Sequence, residues 1–373
     1  MSDLNQHMRI AVDALSLLRG GGVVVAKRIV LGLVDNDIYV DLLVSREIPE
    51  FDLESNPRVK VHLIPGAEGV RRVFLFRWFR LDRFCNSIGA EAIISFNYYS
   101  RTRLPQLTYH INVIPFIRFR DSSQVVGAIK AVAQKVAARS ALKNSTVNVF
   151  ESQYVMKLAM KTGVHIKKPA VVYTGVDTHL VDSREVSVPQ GTNLVCITSG
   201  AVHKNNDEVI NLIRLCIDII PEIRLKIFGD PNGILASLST INRMFVVEKD
   251  FVELSGYIPR DQLEVELRRA KALVTASTLE SFYMVAVEAM ARGCPAIVVD
   301  QTSARESVGD AGLLYSKTDL DAALQYLVDL QDPAIWTQRS EASIEWAEKF
   351  KETDCVQKFV ELARFSLKAE LQK

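Results

Sequence analysis

Short apolar runs alternate along this chain with longer segments whose apolar positions recur every three or four residues. The first pattern is that of buried strands and the second that of amphipathic helices. Strands are predicted at 9–14, 40–44, 59–64, 92–96, 107–111, 147–150 and 170–173, with helices at 22–33, 74–87 and 125–143 among them. The alternation then restarts. Strands are predicted at 193–198, 224–228, 252–254, 272–276 and 296–299, with helices at 206–219, 235–246, 260–269 and 284–292. Helices at 320–330 and 333–350 close the pattern. Strands separated by helix-length segments predict parallel sheets covered on both faces, an α/β class.

The restart near residue 190 predicts two such sheets in tandem. The expected division is a first domain at 1–175, a second at 176–345 and a terminal helix at 346–373. Segment 174–191 carries Gly, Asp, Pro and charges and reads as the linker. Ligands of open parallel sheets bind at the carboxyl ends of the strands, so the site is expected there, between the domains.

Composition narrows the class. At 373 residues the chain exceeds one ordinary domain and suits two. Its 48% hydrophobic and 24% charged content is that of a soluble globular protein. A net charge of +1 gives no global attraction for nucleic acid, so any electrostatic partner must meet a local patch. The five cysteines (Cys85, Cys196, Cys216, Cys294 and Cys355) are scattered and lack CxxC spacing. That argues against a disulfide framework or a zinc site and suits a reducing compartment. The polar start and the lack of any apolar run near the ~20 residues of a membrane span predict a cytoplasmic protein. Contact with a membrane would then be peripheral.

The densest chemistry lies in the stretch Ala272 to Val299, which reads as strand, loop, helix, turn and strand. Glu280 falls in the loop after a strand, and Glu288 lies two turns further on, ~10 Å away by helical rise. That separation is too great for two carboxylates acting on one bond, but it matches the span of an extended ligand. The helix start between them, at Ser281, Phe282, Tyr283 and Met284, offers free backbone N–H groups and the positive end of a dipole, a seat for phosphate. A sugar at Glu280, a diphosphate at the helix start and a ribose at Glu288 would make one nucleotide sugar. The bland alternative is a helix-capping Glu280 and a solvated Glu288. Against it, Glu288 sits among Val285, Ala286, Val287, Ala289 and Met290, where an unpartnered carboxylate is costly.

This stretch resembles the E-x7-E signature of retaining GT-B glycosyltransferases of family 4, the glycosyl transferases group 1. Gly175-Val176-Asp177 is similar to the family's "NGVD" signal, and Gly309-Asp310-Ala311-Gly312, after Ser303-Ala304-Arg305-Glu306, to its "PE-x-x-GDAG" segment. The resemblance is strongest over 171–315. The family often has Gly where this chain has Ser281 and Tyr283. The resemblance implies two Rossmann-like domains facing across a cleft, with the terminal helix returning to the first. It also implies retention of anomeric configuration, no catalytic metal and no other cofactor. By position, Glu280 would contact the donor sugar and Glu288 the ribose.

Three further constellations fit that expectation. Thr198-Ser199-Gly200, followed by His203-Lys204-Asn205, opens a helix after the first strand of the second half. A small-residue turn followed by a lysine suits a diphosphate, with Ser199 and Gly200 allowing approach and Lys204 supplying charge. Gly20-Gly21-Gly22 forms another strand-to-helix turn but lacks the dinucleotide fingerprint; Gly21 and Gly22 read equally as ligand contacts or as a plain turn. His110, after another strand, resembles the family's cleft histidine and could meet the donor sugar, or be a core residue.

Finally, Arg71, Arg72, Arg77, Trp78 and Arg80 belong to a stretch that interleaves arginines with large aromatics, extended by 117–120. Such a stretch suits a membrane interface, an acceptor phosphate, or arginines lying over a buried aromatic face. The expected activity is hexosyl transfer, mannosyl as first guess, from a nucleoside diphosphate sugar to a saccharide or lipid-linked acceptor. The setting would be bacterial polysaccharide or lipopolysaccharide synthesis, with no nucleic acid involved. A GT-B nucleotide-sugar epimerase and a silent donor- or lipid-binding partner are the rival readings.

Overall fold

The computed structural model describes residues 8–371 apart from 19, 52, 54, 68, 119, 122–125, 179–186 and 318. Two compact units result: Met1–Gly175 joined by Glu352–Lys373, and Val176–Lys351. Arg19 of the glycine turn, residue 119 of the arginine–aromatic extension and much of the linker at 174–191 lie outside the described residues.

The first unit holds β1 (Arg9–Asp13), β2 (Tyr39–Val44), β3 (Val59–Leu63), β4 (Ala92–Phe96), β5 (Gln106–His110), β6 (Val147–Phe150) and β7 (Pro169–Val171). They pair in parallel in the order β3-β2-β1-β4-β5-β6-β7. Ile10 and Val12 of β1 and Val40 and Leu42 of β2 pack under helix Gly21–Asp35. Helix Glu352–Leu371 brings Phe359 into the same core. The two helices meet at Gly32, where an added Cβ would lie 1.9 Å from Val356 Cγ1. Arg28 and Glu352 pair at 3.0 Å beside that contact. The return to the first unit therefore begins at Glu352.

On the opposite face of the sheet, Ala11, Leu43 and Ile93 pack with Val73, Leu81 and Cys85. A buried ion pair lies at the same place. Asp13 accepts from Arg77 Nε at 2.7 Å and Nη2 at 2.8 Å, from Ser100 Oγ at 2.6 Å and from the Leu15 N–H at 3.2 Å. Burial alone would raise the Asp13 carboxyl, but the Arg77 charge and these hydrogen bonds outweigh it and hold it below the usual carboxylate range. Arg77 is thus a core residue. Its expected part in a membrane or acceptor contact is corrected here, because the charge of Asp13 requires it inside.

The second unit holds β8 (Asn193–Ile197), β9 (Arg224–Phe228), β10 (Val252–Gly256), β11 (Ala272–Thr275), β12 (Ala296–Val299) and β13 (Leu313–Tyr315), in the order β10-β9-β8-β11-β12-β13. These strands also pair in parallel. Two long predicted helices are each two short ones: Val70–Phe79 and Leu81–Ser87, and Pro231–Ser237 and Thr240–Glu248. The Ser239 side chain caps the last of these. Helices Gln153–Met160 and Ala304–Val308 escaped the periodicity because so few turns give little pattern.

All five cysteines are free and buried. Burial pushes the thiols of Cys85, Cys196, Cys216 and Cys294 up to about 12, so they are inert core groups at neutral pH. Among the described residues, no helix is long and apolar enough to cross a membrane.

Candidate active site

In the second sheet β8 and β11 are neighbours, yet β8 continues to β9 on one side and β11 to β12 on the other. At such a reversal the two crossovers leave in opposite directions and open a crevice at the carboxyl ends of the strands. Lys204 follows β8 and Glu280 follows β11, so the topology alone brings them together. Lys204 Nζ stands 2.6 Å from Glu280 Oε1, and Ser277 Oγ donates to the same oxygen at 2.7 Å.

The surrounding loops are tied to one another. The Glu280 N–H donates to Thr302 Oγ1 at 3.2 Å, and Ser303 Oγ donates to the Glu280 carbonyl at 3.3 Å. Thr302 occupies the left-handed region, with φ 47°. The His203 carbonyl accepts from the Thr278 N–H at 2.8 Å and from its hydroxyl at 3.2 Å, which joins the β8 loop to the β11 loop. Burial lowers the His203 ring below its ordinary range, against the pull of Glu280, so it is neutral beside the pair. The sequence pattern gave no signal for Ser277, Thr302 or Ser303 as supports. Isolated hydroxyl residues in loops reveal a partner only once the chain is folded.

Asn205, in the left-handed region at φ 51°, turns the chain into helix Asn206–Cys216. Asn206 Nδ2 donates to the Ser199 carbonyl at 2.9 Å and braces this turn. Gly200 has a packing task besides the approach to a ligand that its position suggested. A Cβ there would lie 2.2 Å from the Gly233 carbonyl oxygen, so glycine is needed for one backbone to pass another. Gly200→Ala should therefore cost about 1–3 kcal/mol by overpacking, read as a lowered urea midpoint.

Glu288 lies on helix Met284–Met290, its side chain 12% exposed and its Oε1 3.4 Å from Arg260. Arg292 is buried behind it, donates to the Glu288 carbonyl at 3.0 Å and pairs with Glu264 at 2.8 Å. The carboxylate thus has the partner its apolar setting demands.

Phe282 and Tyr283, expected to offer backbone N–H groups to a donor, have their side chains in the core. Phe282 packs on Phe350, ring centroids 5.1 Å apart. Tyr283 donates its hydroxyl to the Ser277 carbonyl at 2.5 Å and its N–H to Ser307 Oγ at 3.0 Å. A tyrosine at this point fills the space under the loop and clamps it, so the phosphate seat expected at its N–H is occupied. Ser281 and Met284 are partly exposed.

In the first unit, Gly21 and Gly22 open the first helix after Gly20, whose φ is 77°. Gly22 lies against Leu17 and Ile111, and Gly21 is exposed. His110, at the end of β5, is fully buried, stacked on Phe150 at 4.8 Å and 3.0 Å from Asn148 Oδ1. Asn148 donates its amide nitrogen to the Leu142 and Lys167 carbonyls, so its oxygen must accept and His110 carries its proton on Nε2. Burial lowers the ring to about 4, leaving a neutral histidine with an unpartnered, buried Nδ1 lone pair. Arg71, Arg72, Trp78 and Arg80 are exposed.

The chain resembles known proteins in sequence and in fold. The family profile described as Glycosyl transferases group 1 matches residues 193–332, the segment that holds Lys204, Glu280 and Glu288. An uncharacterized 41.2 kDa protein in the cps region of Klebsiella pneumoniae is 25% identical over 232 residues, covering 59% of this chain and 62% of its own. O-antigen chain mannosyltransferase B of Escherichia coli is 32% identical over 107 residues, 28% of each chain. Matches to these relatives thus span less than two thirds of their lengths. Among solved structures, sucrose-phosphate synthase from Thermosynechococcus elongatus superposes with a TM-score of 0.77 at 17% identity, over 97% of this chain and 100% of that one. Anabaena HepE, solved with UDP and glucose, gives 0.72 at 15% identity over 96% and 100%. The chain therefore has the Rossmann-like fold of its two units in common with GT-B glycosyltransferases, and residues 193–332 match the glycosyl transferases group 1 profile.

Proposed function

We propose that the chain transfers a hexosyl group from a nucleoside diphosphate sugar to a hydroxyl of a saccharide or lipid-linked acceptor, with retention and without a metal. The Lys204–Glu280 pair at the switch point of the second sheet carries this reading. Lys204 is a mobile point charge suited to a diphosphate. With Oε1 of Glu280 engaged by Lys204 and Ser277, the second carboxylate oxygen is the acceptor offered to a sugar hydroxyl.

In the reaction the bond from the anomeric carbon to the diphosphate oxygen breaks, and its electron pair leaves with the nucleoside diphosphate. The acceptor oxygen bonds to the same face of the carbon, and its proton passes to the leaving phosphate oxygen. Lys204 stabilises the charge that develops there. Glu288 would hold the ribose, and Ser199, Ser281 and Met284 would border the donor. His110 Nδ1 is an acceptor for a hydroxyl or a water. The mannosyl relative favours a GDP-mannose donor, and the UDP and glucose named with HepE make UDP-hexoses the next candidates. The O-antigen and cps-region relatives favour bacterial cell-surface polysaccharide synthesis.

A thermal-shift screen of the full chain against UDP, GDP, their sugars and NAD, with and without EDTA, tests the donor site. Ligand at about 100 times its Kd adds about 2.7 kcal/mol, a readable rise in Tm. The expected result is a rise with one nucleoside diphosphate, unchanged by EDTA. No rise with any diphosphate overturns the donor site, and a rise abolished by EDTA overturns its metal independence.

A further inference from the structure

Lys204 owes its direction to a turn that most side chains resist. The chain leaves β8 by a short 3-10 turn, Val202–Lys204, and enters helix Asn206–Cys216 through Asn205, at φ 51° and ψ 48°. Side chains crowd the backbone in this left-handed region, and asparagine is tolerated because its short amide can hydrogen-bond locally. The residues on either side are fixed by partners already named, the His203 carbonyl by Thr278 and the Asn206 amide through Ser199. Asn205 is the joint between them, and its dihedral angles set how Lys204 leaves the loop.

The amide of Asn205 is engaged by Glu208. Asn205 Nδ2 donates to Glu208 Oε2 at 2.6 Å, and the Tyr315 hydroxyl donates to Oε1 at 3.0 Å. Both Glu208 and Tyr315 are buried. Burial raises the Glu208 carboxyl above its usual range, and the two hydrogen bonds, with the charge of Lys317, offset that only in part. A carboxyl group is thus kept in the interior at a cost, where an apolar side chain would be cheaper to bury. Nor is Glu208 simply a helix cap. A glutamate at the third helical position caps by reaching back to the N-cap backbone N–H. Here the Asn205 N–H donates to the Val202 carbonyl at 3.2 Å, and the carboxylate takes the side-chain amide instead.

Tyr315 extends the connection to the Glu280 side of the crevice. It ends β13, and its carbonyl accepts from the Asp300 N–H at 2.8 Å, where β12 runs into the loop of Thr302. Thr302 in turn holds the Glu280 N–H. One path therefore runs from Glu280 through Thr302, Tyr315, Glu208 and Asn205 to Lys204, and the 2.6 Å ion pair closes it. Supporting contacts of this kind hold functional groups at a fixed separation.

We infer that Glu208 is a positioning residue for Lys204, acting through Asn205 to hold the turn that aims the ammonium at Glu280. Its consequence rests on the proposed donor site: Glu208 governs affinity for the diphosphate without touching it.

Two measurements on the full chain test this, the rate at which acetic anhydride acylates Lys204, read by mass spectrometry, and the Kd for UDP and for GDP. Glu208→Met should raise the acylation rate about tenfold, because the ion pair shields the amine, and weaken diphosphate binding by a similar factor. Glu208→Gln, whose amide oxygen still accepts from Asn205, should lose less. Asn205→Ala leaves Glu208 and Tyr315 together and should reproduce both effects, which decides the matter if Glu208→Met does not fold. Glycine takes the left-handed region freely, so Asn205→Gly added to Glu208→Met should recover part of the affinity while the lowered Tm persists. Unchanged acylation and affinity in Asn205→Ala overturns the inference. So does a loss in Glu208→Met that glycine does not recover, which assigns Glu208 to stability alone. A parent that binds neither diphosphate overturns the proposed donor site instead, and the acylation rates still decide the positioning.

Discussion

Glu280→Gln is expected to lower kcat/KM for sugar transfer about 10²–10³-fold while the melting temperature stays near that of the parent. The amide keeps the size of the side chain and can still accept from Ser277. It cannot balance the Lys204 charge, nor present a carboxylate oxygen to a sugar hydroxyl. Lys204→Ala should lose a similar factor by another route, because charge on the leaving diphosphate then goes unanswered. It should also weaken donor binding in the thermal-shift assay, which Glu280→Gln should affect less. Stability barely enters. The two side chains are 24% and 21% exposed, and an ion pair so open to solvent contributes about 1 kcal/mol or less. Steady-state kinetics with donor varied, beside a melting curve for each variant, separates these effects. Near-normal turnover in either variant would remove the residue from the mechanism.

Arg77→Met should destabilise the protein far more than any change in the second unit's site, by about 3–5 kcal/mol. It leaves the fully buried Asp13 carboxylate facing only Ser100 and the Leu15 N–H. Urea unfolding reads the loss. Adding Asp13→Asn to Arg77→Met should restore part of it, because a neutral amide is cheaper to bury than an unpaired charge. The pair also sets a pH dependence. The folded Asp13 pKa is depressed, so its contribution is present above the unfolded value of about 3.9 and is lost as pH falls through the folded one. The Arg77→Met variant should lack that acid-side loss. A variant as stable as the parent would show the pair to be dispensable, and with it the orientation of the exposed helix above it.

What the sequence determined by itself is whatever depends on neighbours along the chain. The alternation of apolar runs with amphipathic segments predicted two parallel-sheet units because strand and helix periods are local properties. That the cysteines are free followed from their scattered spacing. Glu280 and Lys204 stood out because each follows a strand at the edge where parallel sheets bind ligands, which is again a local signal.

Tertiary structure decided everything that depends on which loops meet. Only the reversal between β8 and β11 brings Lys204 to 2.6 Å from Glu280 across 76 positions of chain. Only the crossing of two backbones explains Gly200, whose neighbour Gly233 is far from it in sequence. Arg77 looked like its exposed neighbours until the buried Asp13 supplied a reason for it to turn inward. Tyr283 and Phe282 sit in a stretch that reads as a ligand-binding motif but face the core, because Ser307, Ser277 and Phe350 offer partners there. A hydrogen bond or buried charge is satisfied in space rather than along the chain, so its partner becomes visible only when the sheets have formed.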